Sequence, residues 1–256
     1  AVKAGDALGC EINKFSVFDR KNYFYPDLPK AYQISQLYYP IIGPGAVTIE
    51  VNGKKKDIRI NHIHLEEDAG KLVHDDFNGV SLADYNRCGI PLIEIVTEPD
   101  MASAEEAMAF VEQISLLLQY AGVCDCKMEQ GSLRCDVNIS LAPKDSKELG
   151  TRAELKNLNS TKAITRAIEY EMYRQSEIIE SGGRVLQETR RFSDTTGETT
   201  YYTGTAPAFS IIIDEDGNSS TTDDQTVVKS WTSEEITAMA EFANGSSQCS
   251  MTGFRT

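Results

Sequence analysis

The dipeptide Asn52-Gly53 stands between two strand-like runs, AVTIEV (Ala46 to Val51) and DIRINHIHLEED (Asp57 to Asp68). Asn-Gly readily adopts the two positive φ values of a type I′ turn, so the spacing predicts a β-hairpin. Along its second strand, Ile58 and Ile60 share one parity while Ile63 and Leu65 take the other. The apolar face is therefore expected to switch near Asn61, as a β-bulge would make it do. Beyond the switch His62, His64 and Glu66 share one face. Histidine ligation of a metal and a plain hydrogen bond to a neighbour both remain open there.

Further strands follow from period-two alternation. In SLRCDVNISL, Leu133, Cys135, Val137, Ile139 and Leu141 alternate with Arg134, Asp136, Asn138 and Ser140. In TRAELKNL, Arg152, Glu154 and Lys156 oppose Ala153 and Leu155. Another strand is expected over Val185 to Phe192, and DTTGET (Asp194 to Thr199) reads as a turn into one more.

Two helices are expected. One opens at Ser103 with Glu106 as a capping box, carries Ala107, Phe110, Val111, Ile114, Leu117 and Leu118 at helical spacing, and ends at Gly122. The other runs from about Ser160 to Ser181, with Ile164, Ala167, Ile168, Met172 and Ile179 on its buried side, and stops at Gly182-Gly183. The first residues, AVKAGDALGCEI, read as the middle of a helix, so further residues are expected upstream of Ala1.

The chain has 256 residues, enough for one sizeable domain with a small appendage. A net charge of −14 argues against a polyanion-binding surface spread over it. Residues 201–256 hold 8 Asp/Glu against 2 Lys/Arg, and after about Tyr202 the sequence turns rich in Ser, Thr, Asp and Gly. Residues 203–256 are therefore read as a divergent acidic tail, partly disordered, with a short helix possible over Trp231 to Ala243. No apolar stretch approaches the roughly 20 residues needed to cross a bilayer. Six scattered cysteines read as reduced thiols of a cytoplasmic protein. Cys124-Asp125-Cys126 lacks the second pair that a zinc site usually has.

The chemistry lies in the polar residues of the strands. Glu66, Glu67, Glu94, Asp136 and Glu154 fall at or near strand positions, accompanied by Lys71, Arg134 and Lys156. Hard divalent cations take oxygen ligands and leave positions for water and phosphate, so a phosphoryl-transfer site wants several carboxylates and a few cations. Glu94 is the sharpest case. It sits in IPLIEIVTEP, where a lone carboxylate is costly unless paired. A metal ligand is the favoured reading, against an edge strand facing water or a salt bridge to arginine. No P-loop, G-x-G-x-x-G loop or G-x-S-x-G elbow is present.

The blocks KFSVFDRKNYFYPDLPKAYQISQ, INHIHLEEDAGK, SLADYNRCGIPLIEIVTEPD, CKMEQGSLRCDVNISL, GTRAELKNLNS and QETRRFSDTTGET together resemble the B subunit of the tRNA-dependent amidotransferases that make Gln-tRNA and Asn-tRNA. The likeness runs in order from Ala1 to about Thr200. It implies a catalytic domain over residues 1–202 with an α+β fold of the glutamine synthetase/guanido kinase type, a largely antiparallel sheet and packed helices.

It also implies a ligase activity. ATP phosphorylates the side-chain carboxylate of Glu or Asp on misacylated tRNA, Glu-tRNA(Gln) or Asp-tRNA(Asn), and ammonia then displaces the phosphate. The ammonia comes from an amidase subunit, and a small third subunit completes the assembly. Carried over to this chain, Glu66, Glu67 and Glu94 are metal (Mg²⁺) ligands. Asp136 and Glu154 hold a second metal or nucleotide phosphates, together with Lys156 as a phosphate-binding residue. Lys71, Arg134 and Lys156 neutralise developing phosphate charge, while Tyr23, Tyr25, Lys30 and Tyr32 shape the acceptor-end or channel side, or serve structure alone. The family's opening Glu-x-His strand is expected upstream of Ala1, and its tRNA-gripping helical and tail domains are not recognisable past Thr200. An assembly piece that docks the amidase and a small-molecule carboxylate kinase of the same fold are the alternatives.

Overall fold

The computed structural model describes residues 1–201 except 76, 144, 145 and 147, together with the backbone of Ser210–Ile213 and Ser219–Thr222. In chain order the elements are α1 (Val2–Ala7), β1 (Asp19–Asn22), β2 (Tyr32–Ser35), β3 (Gly45–Val51), β4 (Lys54–Glu67), β5 (Lys71–Asp75), β6 (Val80–Asp84) and β7 (Pro91–Thr97). There follow α2 (Ala104–Tyr120), β8 (Cys135–Ile139), β9 (Ala153–Leu158), α3 (Thr161–Glu180), β10 (Glu188–Phe192), β11 (Thr199–Tyr201), β12 (Ser210–Ile213) and β13 (Ser219–Thr222). This is a mixed α/β chain with mostly antiparallel sheets. Two compact units divide it: Ala1–Ile12, Ile42–His62 and the described part of Ile95–Gly204 form one, and Asn13–Ile41 with Ile63–Glu94 the other. Among the described residues no helix is long and apolar enough to cross a membrane.

In the first unit the expected hairpin is present. Val51 pairs with Lys54 around Asn52 (φ 52°) and Gly53 (φ 73°), the positive pair that a type I′ turn requires. Val47 and Ile49 on β3 and Ile58 and Ile60 on β4 are buried, and α2 packs against β3. The α2 cap is as expected, with Ser103 Oγ accepting the Glu106 N–H at 3.2 Å. The Glu106 carboxylate closes on the Ala102 N–H at 2.7 Å and on Lys56 at 2.7 Å rather than on Ser103 itself.

The second sheet of this unit has the order β11-β10-β9-β8. Its middle pair, β9 and β10, is parallel, which requires a crossover, and α3 supplies it. One sheet face packs on α3 through Leu155, Leu158, Phe192, Ala163, Ile164, Ala167 and Ile168. The opposite side of β8 and β9 carries Asp136, Asn138, Glu154 and Lys156, as the alternation predicted. Cys135 faces Leu158 and Val137 faces Leu155, so Lys156 and Asn157 together oppose Asp136. That β-bulge is taken up by Asn157 at φ 68°.

The buried side of α3 departs from expectation in its second half. Ile179 is 42% exposed, while Glu171 and Gln175 are fully buried one and two turns on from Ala167. Glu171 receives Arg174 (2.6 and 2.9 Å), Gln175 (2.9 Å) and Thr199 Oγ1 (2.9 Å), and lies 3.3 Å from Arg190. Gln175 ties α3 to the end of β8 by accepting the Leu141 N–H at 3.1 Å and donating to the Ile139 carbonyl at 3.3 Å. A buried carboxylate is tolerable only when so fully partnered. Burial pushes the Glu171 pKa up, but Arg174 and the other donors outweigh it and hold it below the ordinary value.

In the second unit β1 pairs with β2 and β5 with β6, both antiparallel. The outer parts of β4, from Ile63, and β7, up to Glu94, belong here as well. Gln36 fills a structural post: its Oε1 accepts the N–H groups of Leu65 (3.0 Å) and Ile41 (3.2 Å). In the DAG turn after β4, the Gly70 N–H donates to the Asp27 carbonyl at 2.7 Å, and a Cβ there would stand 2.8 Å from the Tyr85 ring. Asp68 is buried against Arg87 at 2.9 Å. In the tail, Ile211 pairs with Thr221 as β12 meets β13. The acidic tail's remaining features, including the helix expected over Trp231 to Ala243, lie outside the described residues.

Removing the buried carboxylate leaves Arg174 and Arg190 to share Glu188 as their remaining counter-ion, and strips Gln175 and Thr199 of their buried acceptor, so Glu171→Ala is expected to cost about 3 kcal/mol in urea unfolding. Because Glu171 is held below its usual 4.5, its contribution is present above that pH and is lost as pH falls through its lowered value. The wild-type midpoint should therefore fall in acid more steeply than that of Glu171→Ala. Equal stability of the two chains at pH 7 would contradict this account.

Candidate metal centre

Pairing of β4 with β3 ends at Gly45 and Ile60. Past that point the buried parity of β4 changes, from Ile58 and Ile60 to Ile63, with His64 buried beside it. Residues i and i+2 of a strand share a side, so His64 and Glu66 stand together. The His64 Nε2 lies 3.2 Å from Glu66 Oε1 and 3.5 Å from Glu94 Oε2 on β7. One ligand atom from each of His64, Glu66 and Glu94 lies within 4.8 Å of the other two. His62 is not among these ligand atoms and meets Asn61 at 2.6 Å.

The cluster is held from β2. Ser35 Oγ donates to Glu66 Oε1 at 3.0 Å and Gln33 Nε2 reaches Glu66 Oε2 at 3.5 Å, while Gln33 is itself fixed on the Glu67 carbonyl at 2.7 Å. His64 and Glu66 are nearly enclosed, whereas the Glu94 side chain is 54% exposed. Glu94 thus sits on the exposed side of β7 with an imidazole partner, which removes the burial cost foreseen for a carboxylate in that strand.

One imidazole and two carboxylates with an open side suit a divalent cation. Oxygen donors match Mg²⁺ or Mn²⁺, a single imidazole is compatible with Mn²⁺ or Zn²⁺, and the exposed flank leaves room for water or phosphate. The hydrogen bonds to Glu66 are of the kind that orient a ligating carboxylate. Without a cation the cluster stabilises a charged ring. Burial opposes that charge, but the hydrogen bonds and negative field of Glu66 and Glu94 outweigh it and lift the His64 pKa to about 9.

Glu67, one residue on, faces the other way. Its carboxylate is bonded to the Lys30 ammonium and to the Ile34 N–H at 3.0 Å, and Lys30 chiefly holds its pKa below the ordinary range. It therefore stands outside the His64–Glu66–Glu94 group. Lys30 also lies 4.8 Å over the Tyr32 ring, with Arg20 at 4.6 Å. Burial, then the charges of Asp27 and Glu66, push the Tyr23 hydroxyl up to about 12. The Tyr25 carbonyl accepts the Leu28 N–H at 2.9 Å in the turn before β2, and Lys71 is exposed at the start of β5, across from Asp84.

The remaining candidates lie in the first unit. Lys156 Nζ is 2.6 Å from Asp136 Oδ2 and 3.2 Å from Glu154 Oε1. Thr189 Oγ1 donates to Glu154 Oε2 at 3.0 Å from β10. Arg134 is exposed one residue before β8. Sequence reasoning did not single out Ser35, Gln33 or Thr189, because a hydroxyl or amide in a strand has no local signature until its partner strand is known. His64 did carry a signal, the shared parity with Glu66.

A model of the GatB/GatE catalytic domain matches residues 1–210. The chain is 63% identical to the B subunit of the aspartyl/glutamyl-tRNA(Asn/Gln) amidotransferase of Ruminiclostridium cellulolyticum over 197 residues, 77% of this chain and 41% of that protein. It is 61% identical to the B subunit of the same enzyme from Lachnoclostridium phytofermentans, covering 76% of this chain and 41% of the relative. The corresponding protein of Caldicellulosiruptor saccharolyticus is also 61% identical, over 78% of this chain and 42% of its own length. The chain thus spans about two fifths of these relatives.

In the metal-free protein, the His64 ring is expected to titrate near pH 9 by heteronuclear NMR. Its pKa is raised above the free value of 6.5, so the stability it adds is full below that pH and disappears as pH rises through 9. Glu66→Gln should bring the midpoint down. Titration at or below 6.5 in the wild type would contradict the geometry.

Proposed function

The chain belongs to the GatB/GatE catalytic domain family, and on that premise we propose that it is the carboxylate-activating part of a tRNA-dependent amidotransferase. The reaction in this reading is phosphoryl transfer from ATP to the side-chain carboxylate of Glu or Asp on misacylated tRNA(Gln) or tRNA(Asn). Ammonia delivered by an amidase subunit then displaces the phosphate, and a small third subunit belongs to the same assembly. The observation that carries the reading is the cluster of His64, Glu66 and Glu94, held in place by Ser35 and Gln33, in a chain of this family.

His64, Glu66 and Glu94 hold a divalent cation, Mg²⁺ by preference. When bound, such a cation neutralises phosphate charge and polarises a phosphoryl oxygen. Ser35 and Gln33 keep the Glu66 carboxylate aimed at the cation. Glu67 joins as a ligand only by releasing Lys30, the ammonium it grips in this structure. Lys71, in the same unit as the cluster, offers positive charge to the transferred group, whose negative charge is the main thing catalysis must stabilise, and Arg134 and Lys156, in the first unit, are phosphate-binding residues by the family resemblance. Asp136 and Glu154 are acceptors for a second cation or, through Lys156, partners of the nucleotide phosphates.

Reconstitution with the amidase and the small third subunit tests this. ATP hydrolysis should depend on Mg²⁺ and be stimulated by Glu-tRNA(Gln) or Asp-tRNA(Asn). His64→Ala and Glu66→Gln should each weaken Mg²⁺ dependence by at least about tenfold, and Ser35→Ala by about tenfold or somewhat less. Stimulation by free glutamate in place of the tRNA would point to a small-molecule kinase instead. No hydrolysis from a fully assembled complex would leave an assembly role.

A further inference from the structure

Two thiols share one turn after α2. Gly122, at φ 64°, closes the helix, and Cys124 and Cys126 follow on either side of Asp125. The Cys126 N–H donates to Cys124 Sγ at 3.2 Å, and Cys126 Sγ donates to the Cys124 carbonyl at 3.9 Å. Each sulfur therefore lies against the backbone of the other residue. Cys126 is held at φ 54°, in the left-handed region that a residue with a side chain seldom adopts. Cys126 is buried, whereas Cys124 is only partly covered and donates its thiol to the Ser132 carbonyl at 3.3 Å. Gln119, Gly122, Cys124 and Asp125 line an open surface groove, which gives a small solute access to the pair.

We propose that Cys124 and Cys126 form a redox-modification site, closing to a disulfide when a hydroperoxide reaches them and reopening with a thiol reductant. Cys124, the more accessible sulfur, reacts first. It gives its proton to solvent, and the thiolate attacks one peroxide oxygen. The O–O bond breaks, a sulfenic acid forms on Cys124, and the departing hydroxide is protonated to water. Cys126 then loses its proton and attacks the Cys124 sulfur. The S–O bond breaks, and the second hydroxide leaves as water. Two thiols thus supply the two electrons that reduce one hydrogen peroxide to two waters. Burial, then the adjacent Cys124, push the Cys126 thiol up to about 11, which suits it to the second step rather than the first. A ring closed over a single intervening residue is small, and strained or exposed disulfides are the readily reduced ones.

Closure has a structural consequence. The Cys124 S–H is consumed, so the Ser132 carbonyl loses its donor. The Ser132 N–H in turn bonds to the Lys127 carbonyl at 3.0 Å, and β8 begins at Cys135. Oxidation therefore loosens the turn that leads into β8.

Treatment of the intact folded chain with hydrogen peroxide, followed by cleavage at glutamate and mass spectrometry, tests the site without reference to turnover. The peptide 113–129 carries Cys124 and Cys126 and no further cysteine. It should emerge lighter by two hydrogens, refuse iodoacetamide, and return to the dithiol with dithiothreitol. Cys124→Ser and Cys126→Ser should each abolish that product, and Cys126→Ser should stop at a sulfenic acid that dimedone traps. Cys135→Ser should leave the product as in the wild type. Amide hydrogen exchange over residues 127–134 should quicken at least about twofold on oxidation of the wild type, and not in Cys126→Ser. A wild-type peptide that stays a dithiol, goes on to sulfinic acid at Cys124, or pairs instead with Cys88 or Cys135 would overturn the inference. Unchanged exchange in the fully oxidised chain would overturn the link to β8.

Discussion

Strand β4 loses its neighbour β3 at Ile60 and continues for seven more residues, to Glu67. Past that point Ile63 and His64 are both buried, and the candidate metal centre is built on this outer part of the strand. Before it, alternation puts Ile58 and Ile60 inside the first unit. After it, Ile63 and His64 are buried and the strand presents His64 and Glu66 to Glu94. A carboxylate and an imidazole on a sealed apolar face are costly. The half-exposed Glu94 beside them keeps one flank open to solvent.

Each unit solves the cost of charge in its own way. Glu171 is fully enclosed and takes donors from Arg174, Gln175 and Thr199 with Arg190 close by, so it stabilises the α3–sheet contact and has no open coordination left. Glu66 and Glu94 share one imidazole and keep an exposed flank. The difference separates a structural carboxylate from a ligand. Donors on every side close off Glu171, while the more than half-exposed Glu94 leaves the His64–Glu66 group reachable from solvent. Lys156 between Asp136 and Glu154 is intermediate, a half-exposed ion pair on the polar face of β8 and β9.

Much of this is legible in the sequence where the signal is local. Asn52-Gly53 specifies its turn by φ alone, Ser103 and Ser160 cap their helices through their own hydroxyls, and alternation marks the polar face of β8 and β9. Glu94 reads as a costly charge in an apolar strand, and that premise is too strong, because half of its side chain is open to solvent. Glu171 and Gln175 look like an ordinary wet turn of helix until Arg190 and Thr199, from strands further along the chain, are brought beside them. The parallel pairing of β9 with β10 has no local mark either, since period two is the same for both directions of pairing. Glu66 and Glu67 are adjacent in sequence and therefore point apart in a strand, which sends one to His64 and the other to Lys30.

The central claim is that His64, Glu66 and Glu94 form one cation site, and crystals grown with Mn²⁺ address it most directly. Anomalous scattering at the manganese edge should show a peak among the His64 imidazole and the carboxylates of Glu66 and Glu94, lost in the Glu94→Gln protein. Strong manganese peaks elsewhere, with the His64 ring still bonded to Glu66 and no density between the three side chains, would contradict the account.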